Sequence, residues 1–272
     1  MGAHGGRCSS NHGNTGLVVK NWILEVGNTR AKWACFECIG DPSKPPLKVH
    51  STRSSDVQVA PTWRREVQAE DRVMVTGSGD LGDWIHAFPT AFVLRPGDPI
   101  PLNTGVTEPT ALGLDRIANA WAVIHNCFTQ ASEHQAWMIV DVGTCVTLDV
   151  VQHTKHLGGV ISPGVKMRMK AMAEGTARLP QPNLLSQNKH PMAQSLALGN
   201  NTENALLRGG LGGLSAEIEG TWASLNQKIP DMGVLLTGGD ALRLELRDIL
   251  PTFADAHLTL KGFHAIFKHL YG

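Results

Sequence analysis

Trp137-Met138-Ile139-Val140-Asp141-Val142-Gly143-Thr144-Cys145-Val146-Thr147-Leu148-Asp149 is the stretch whose reading decides the fold. An apolar run meets an acid, breaks at Gly143-Thr144 and resumes as alternating apolar and hydroxyl residues, the pattern of a β-hairpin with its chemistry at the turn. Gly143 lets backbone N–H groups approach an anion, Thr144 adds a hydroxyl donor, and Asp141 can hold a cation beside phosphates cradled there. Taken alone, the same residues also describe a plain tight turn.

A second copy of the plan changes the weighting. Trp22-Ile23-Leu24-Glu25-Val26-Gly27-Asn28-Thr29-Arg30-Ala31-Lys32-Trp33 has the same apolar strand, acid, Val-Gly, polar turn and return strand, with Glu25 standing 116 positions before Asp141. One such hairpin per half predicts two related lobes closing on a nucleotide. Val234-Leu235-Leu236-Thr237-Gly238-Gly239-Asp240-Ala241 adds an apolar strand, a Gly-Gly turn against which a flat ring or a phosphate can lie, and a helix after it. Three such elements in order resemble the acetate and sugar kinase/Hsp70/actin superfamily. That resemblance implies an α/β fold of two duplicated actin-like (ribonuclease H-like) lobes with a nucleotide cleft between them.

Bulk properties narrow the function classes. Lys+Arg 24 balance Asp+Glu 24, so there is no electrostatic footprint for nucleic acid or an anionic membrane, and any anion site must be local. Five scattered cysteines, Cys8, Cys35, Cys38, Cys127 and Cys145, argue against a disulfide framework and for a cytoplasmic chain. Cys35-x-x-Cys38 lacks a second ligand pair and reads as core or surface thiols before a zinc site. No run of about 18 apolar residues spans a membrane. Residues 1–19 are rich in Gly, Ser, Asn and His and are expected to form a disordered leader, with His4 and His12 lacking metal-ligand spacing. Lobes are expected at 20–125 and 126–272.

Along the chain, strands are expected at Ala31 to Ile39 and near Leu47–Ser51, and a short helix at Trp63 to Ala69. Arg72-Val73-Met74-Val75-Thr76-Gly77-Ser78-Gly79 is a strand and glycine turn without the third glycine of a dinucleotide fingerprint. Gly113-Leu114-Asp115-Arg116-Ile117 opens a helix whose Ile117, Ala120, Trp121 and Ile124 form an apolar stripe. Asp115 either serves that helix's N-terminus or, at the mouth of a cleft, takes a proton from an alcohol. Lys166 to Ala173 is a basic helix, read as a solvated face ahead of a phosphate contact. Thr202 to Leu225 carries a core stripe interrupted by Gly209, Gly210, Gly212 and Gly213, which implies close backbone approach. Leu258 to Phe263 reads as a strand entering a last helix.

The ordered set Glu25-Val26-Gly27-Asn28-Thr29, Gly113-Leu114-Asp115-Arg116, Asp141-Val142-Gly143-Thr144, Gly158 to Gly164, Thr176-Ala177-Arg178-Leu179-Pro180 and Thr237-Gly238-Gly239-Asp240-Ala241 resembles type III pantothenate kinase. The resemblance implies ATP-dependent phosphorylation of pantothenate, the first step towards coenzyme A. It makes Asp115 the proton acceptor and places Gly113, Leu114 and Arg116 at the pantothenate site, where a guanidinium suits the carboxylate. It puts a monovalent cation, potassium or ammonium, on Asp141, with Mg²⁺ accompanying the nucleotide. ATP contacts fall on Glu25, Gly27, Asn28, Thr29, Arg30, Lys32, Thr144, Gly238 and Gly239. Thr176 would reach pantothenate from the second subunit of a homodimer.

Two positions depart from the pattern. Glu25 stands where the family has aspartate, and Val106 where members often carry a pocket tyrosine. These departures also fit a non-catalytic binding relative of the same fold. A kinase of the superfamily acting on a sugar or acetate is a further alternative.

Overall fold

A computed structural model of the chain describes residues 19–129, 133–182, 198–244, 246–247 and 250–272. All of the expected leader except Val19 lies outside the described residues, and with it His4, Cys8 and His12. Contacts divide the chain into two units, one comprising Met1–Ser132, Thr154–His156 and His257–Gly272, the other Glu133–His153 and Leu157–Ala256. Placing a boundary at 125/126 would therefore separate the C-terminal residues from the unit on which they pack.

Unit 1 is built on a mixed sheet in the order β3-β2-β1-β4-β5, with β1 Lys20–Val26, β2 Arg30–Glu37, β3 Lys48–Arg53, β4 Arg72–Thr76 and β5 Phe92–Val93. β1 pairs antiparallel with β2 and parallel with β4, so it is central and buried on both faces. On one face, helices α3 (Leu114–Ile124) and α7 (Leu258–Tyr271) pack against Ile23, Ala34 and Met74. On the other face lie α1 (Ala60–Arg64) and α2 (Gly82–Ala87), together with a stack of four tryptophans. Trp22 stacks on Trp33 at 4.9 Å, Trp33 on Trp63 at 6.0 Å and Trp63 on Trp84 at 5.5 Å.

Unit 2 repeats the plan. Its sheet runs β10-β9-β6-β7-β8, with β6 Ala136–Val142, β7 Cys145–Gln152, β8 Lys155–Pro163, β9 Met232–Thr237 and β10 Thr252–Ala254. β6 pairs antiparallel with β7 and parallel with β9, as β1 does with β2 and β4. Helix α4 (Val165–Glu174) and the helical run α5 (Thr202–Leu207), a π-helical turn (Arg208–Gly212) and α6 (Gly213–Asn226) contribute Met169, Leu207, Leu211, Leu214 and Ile218 to its core. The glycine cluster forms that π turn. A Cβ on Gly210 would collide with Met169 of α4, which explains the close approach the sequence calls for; Gly209 and Gly213 face open space.

Three local expectations are corrected. The first is that Leu258–Phe263 is not a strand: α7 begins at Leu258 and buries Leu258 through His264 consecutively. A helix covered on most sides loses its one-sided stripe, and its leucines then mimic an alternating strand. Gly262 lies directly on the Ala118 carbonyl of α3, where a Cβ would collide. The second is the helix expected at Trp63 to Ala69, which runs instead from Ala60 to Arg64, started by Pro61 in its first turn. The third concerns the residues after Gly239, which form only one 3₁₀ turn, Ala241–Arg243.

A buried polar pair joins β1 to α7. Asn21 Nδ2 donates to His264 Nε2 at 3.1 Å, and the His264 ring stacks on Phe36 at 4.4 Å. Burial, with the charge of Lys268 adding to it, pushes His264 down to about 3. The folded state therefore rejects a proton that the unfolded chain accepts below its ordinary value of 6.5. Stability is accordingly expected to fall as pH drops from about 6.5 towards 3, by up to about 1.4 kcal/mol per pH unit. Urea unfolding between pH 7 and 4 checks this: His264→Gln should flatten the decline, and parallel profiles for the two proteins would refute it.

Candidate functional site

In unit 1 the strand pair β1–β2 ends at the turn Gly27-Asn28-Thr29, and Val26 pairs with Ala31 across it. Gly27 N–H closes the turn on Arg30 C=O at 2.9 Å. The outward positions are therefore Asn28, Thr29 and Arg30, all exposed. Arg30 Nε donates to Ser51 Oγ at 2.8 Å. Glu25 and Lys32 are register partners on the facing strands, and Lys32 Nζ lies 2.9 Å from Glu25 Oε2. The Glu25 side chain is 11% exposed and that of Lys32 29%, so the carboxylate is held inside and the ammonium sits nearer the surface.

Unit 2 presents the matching turn. Gly143 N–H bonds Cys145 C=O at 3.0 Å, leaving Thr144 and Cys145 exposed, with Asp141 half-buried. Opposite Asp141 in register stands Thr147, where the first hairpin has a lysine. The Gly238-Gly239 turn docks here: Asp240 N donates to Val142 C=O at 3.0 Å. Gly238 has φ +96°, and a Cβ on it would stand 2.5 Å from Asp141 Oδ1 and from Val142 N and O. Gly239 instead faces open space. Arg243 Nε pairs with Asp240 Oδ1 at 3.0 Å and fixes the turn from behind.

This docking has a counterpart in unit 1 that the sequence reading left unused. Gly77, φ +136°, follows β4 as Gly238 follows β9, and Gly79 N donates to Val26 C=O at 2.8 Å. Thr76 is the register partner of Glu25 and Thr237 that of Asp141. Thr76-Gly77-Ser78-Gly79 is thus the first-lobe equivalent of Thr237-Gly238-Gly239-Asp240. The signal that could have found it was the shared Thr-Gly pair ending the strand that pairs in parallel with each acid's own, not a dinucleotide fingerprint.

Asp115 lies in the first turn of α3, half-buried and outside the packed interior. Gly113 is the N-cap residue and makes no side-chain cap, while Asp115 Oδ1 accepts from Arg116 N at 2.9 Å. A Cβ on Gly113 would stand 2.7 Å from that same oxygen, so the glycine leaves room for the carboxylate. Arg116 is half-exposed. Leu114 is 1% exposed within the core of unit 1, which restricts it to backbone contacts with any ligand. Val106 packs on the same core. Its segment is anchored by a residue the sequence reading missed: His156, fully buried, meets Thr104 Oγ1 at 2.8 Å, and Gly105 N donates to its carbonyl at 2.8 Å.

Helix α4 starts at the second hairpin, where Gly164 N donates to Thr144 C=O at 3.1 Å. Thr176 lies just beyond its other end, exposed, with Oγ1 donating to Met172 C=O at 2.7 Å. Ten helical residues separate the two ends by about 15 Å. Of the basic residues on α4, Lys166 and Lys170 face solvent, whereas Arg168 is turned back onto Ser162 Oγ at 2.6 Å and onto Glu217. Cys35 and Cys38 are buried free thiols, and no cluster of three or more His, Cys, Asp or Glu able to hold a metal occurs among the described residues.

Two sheets with one strand order, each carrying an acid-Val-Gly hairpin clasped by a glycine turn, define a duplicated α/β fold of two actin-like lobes. Solved structures agree on the fold. A Campylobacter jejuni protein assigned to the Baf family of transcriptional activators superposes with TM-score 0.55 at 19% identity, covering 91% of this chain and 98% of its own. A Listeria monocytogenes protein assigned as an N-acetylmannosamine kinase does so with TM-score 0.53 at 12% identity, covering 92% and 99%.

The chain belongs to the type III pantothenate kinase family, whose model matches residues 22–224. A type III pantothenate kinase of Bacteroides fragilis is 31% identical over 93% of this chain and 99% of its own length. One from Cytophaga hutchinsonii is 36% identical over 92% and 99%.

Proposed function

We propose that this protein transfers the γ-phosphoryl group of ATP to the primary hydroxyl of pantothenate, in the cytoplasm, as an early step towards coenzyme A. The observation that carries the reading is the paired clasp, an acid-bearing hairpin and glycine turn in each lobe, on a chain of this family. The bond from the γ-phosphorus to the ADP oxygen breaks, and a new bond forms to the pantothenate oxygen. The hydroxyl proton passes to Asp115, where the positive end of α3 favours a negative charge. Arg116 receives the pantothenate carboxylate.

The two hairpins divide the electrostatic work. In the first, Glu25 holds the Lys32 ammonium, which supplies a fixed positive charge for phosphate; the longer glutamate is accommodated by reaching its strand partner. In the second, Asp141 has no lysine opposite it, and its oxygen lies along the Gly238 backbone, a hard-oxygen setting suited to potassium or ammonium. Asp141 would hold such a cation there, and together with the Mg²⁺ of ATP it would offset negative charge on the transferring phosphoryl oxygens. Gly239 offers bare backbone to the nucleotide, and Thr144, Asn28 and Thr29 offer donors.

Thr176 is exposed beyond the end of α4, where a second copy can be met. Leu157, Val160 and Ile161 on the edge strand β8, with Met167 on α4, are exposed apolar residues of the kind that mark an association surface. Ile161→Lys is expected to convert a homodimer to a monomer in sedimentation. An unchanged mass would count against this surface.

Calorimetry tests the function. Both Mg·ATP and pantothenate should bind in potassium buffer. A non-catalytic relative, the reading favoured by an apolar Val106 in place of a polar pocket residue, would bind one or neither.

A further inference from the structure

We infer that Ser54 is a positioning residue for the nucleotide, acting by fixing the peptide plane at the tip of the first hairpin. This rests on the reading of that hairpin as the phosphate site. Ser54 follows directly on β3 and is half-buried. Its hydroxyl donates to Gly27 C=O at 2.6 Å, and its N–H donates to Thr29 C=O at 3.1 Å. One residue therefore holds two carbonyls of a turn whose Asn28 and Thr29 side chains are exposed.

The consequence follows from peptide geometry. In a planar trans peptide the C=O of one residue and the N–H of the next point in opposite directions. Anchoring Gly27 C=O on Ser54 therefore aims Asn28 N–H away from Ser54, in the direction from which an anion would be met. A glycine-containing turn otherwise exchanges readily between peptide orientations, because glycine tolerates both signs of φ. Gly79, packed on the Gly27 carbonyl, closes the other side.

Ser54 is itself held. Its carbonyl accepts from Trp84 Nε1 at 2.8 Å, and Trp84, 1% exposed, is the terminal ring of the four-tryptophan stack. The turn is thereby tied to the buried tryptophan stack of unit 1. At the second hairpin it is the backbone of Gly164 that faces the Gly143 and Thr144 carbonyls. The hydroxyl brace belongs to the first hairpin, the one that carries Lys32.

The experiment compares Ser54→Ala and Ser54→Thr with the wild type by calorimetry with Mg·ATP and with pantothenate, alongside thermal unfolding. Ser54→Ala is expected to weaken Mg·ATP binding by about five- to tenfold, the equivalent of one lost hydrogen bond, without changing pantothenate affinity. Ser54→Thr, which keeps the hydroxyl, should bind Mg·ATP within about twofold of wild type. Nucleotide affinity unchanged in Ser54→Ala, whatever its melting temperature, would overturn the inference. So would an equal loss for both ligands, or a threonine variant as weak as the alanine one. Wild-type protein that binds Mg·ATP but transfers nothing to pantothenate would contradict the proposed reaction alone, since the Ser54 variants are read by nucleotide affinity. Wild-type protein that binds no nucleotide would overturn both.

Discussion

Asp115→Asn is expected to remove phosphate transfer while preserving the fold and nucleotide binding. Asparagine keeps the size of the side chain and an oxygen for Arg116 N–H, so the bond at 2.9 Å can persist. What it loses is the ability to accept the hydroxyl proton. Removing a positioned general base costs about a hundred- to ten-thousandfold in turnover. The effect should fall on kcat, with the KM for ATP little changed, because Asp115 lies on α3 and not on either clasp. Near-normal turnover in this variant would remove Asp115 from the chemistry and leave it as one more acid at a helix start.

Gly238→Ala carries the other large effect. The residue combines a φ of +96° with three atoms standing 2.5 Å from where a Cβ would go, Val142 N and O and Asp141 Oδ1. The left-handed conformation costs an alanine about 1–2 kcal/mol, and overpacking against backbone adds about 1–3 kcal/mol. The relief available is for the whole turn to lift off β6, which would displace Asp141 from its place. Unfolding free energy should therefore fall by a few kcal/mol, nucleotide affinity by more than tenfold, and the response to potassium should disappear. Gly239→Ala is the control. Its Cβ would meet nothing within 4 Å, so stability should stay within about 0.5 kcal/mol of wild type, and any loss must appear in nucleotide binding. Equal stability for the two variants would show that the turn is not docked as described.

How much of this was legible in the sequence depends on which residues are asked. Both hairpins were readable because Glu25 and Asp141 interrupt apolar runs at the same distance from a Val-Gly turn, and a strand buried on both faces leaves few other ways to place an acid. The start of α3 was readable from Gly113 and the spacing of Ile117, Ala120 and Trp121. The last helix was expected, but its start at Leu258 was not, because Leu258 through His264 are buried consecutively and leave no polar face to mark a helical period there. The one-turn 3₁₀ segment after Gly239 was overextended for a related reason. Asp240 N is committed to Val142 C=O, a tertiary bond that local propensity does not contain. The roles of Ser54 and His156 are likewise long-range: each holds a backbone segment more than 20 residues away in sequence, at Gly27 and at Thr104.

The pairing of Glu25 with Lys32 also bears on the departure from the family's aspartate. Read as a sequence, the extra methylene threatens the geometry of a metal-binding carboxylate. In the fold, that carboxylate is directed at a lysine on the neighbouring strand, and the pair neutralises itself, leaving Arg30 as the remaining charge at the tip of the first hairpin. The duplicated lobes thus carry related loops that differ at one register position, a lysine opposite the acid in the first and Thr147 in the second.

The most direct test of the central claim is ADP formation by the purified protein in potassium buffer, with and without pantothenate, with the product identified by mass. ADP should form only when pantothenate is present, in equal amount to 4′-phosphopantothenate, and more slowly when sodium replaces potassium. ADP formation that is indifferent to pantothenate, or absent although both ligands bind, would contradict it.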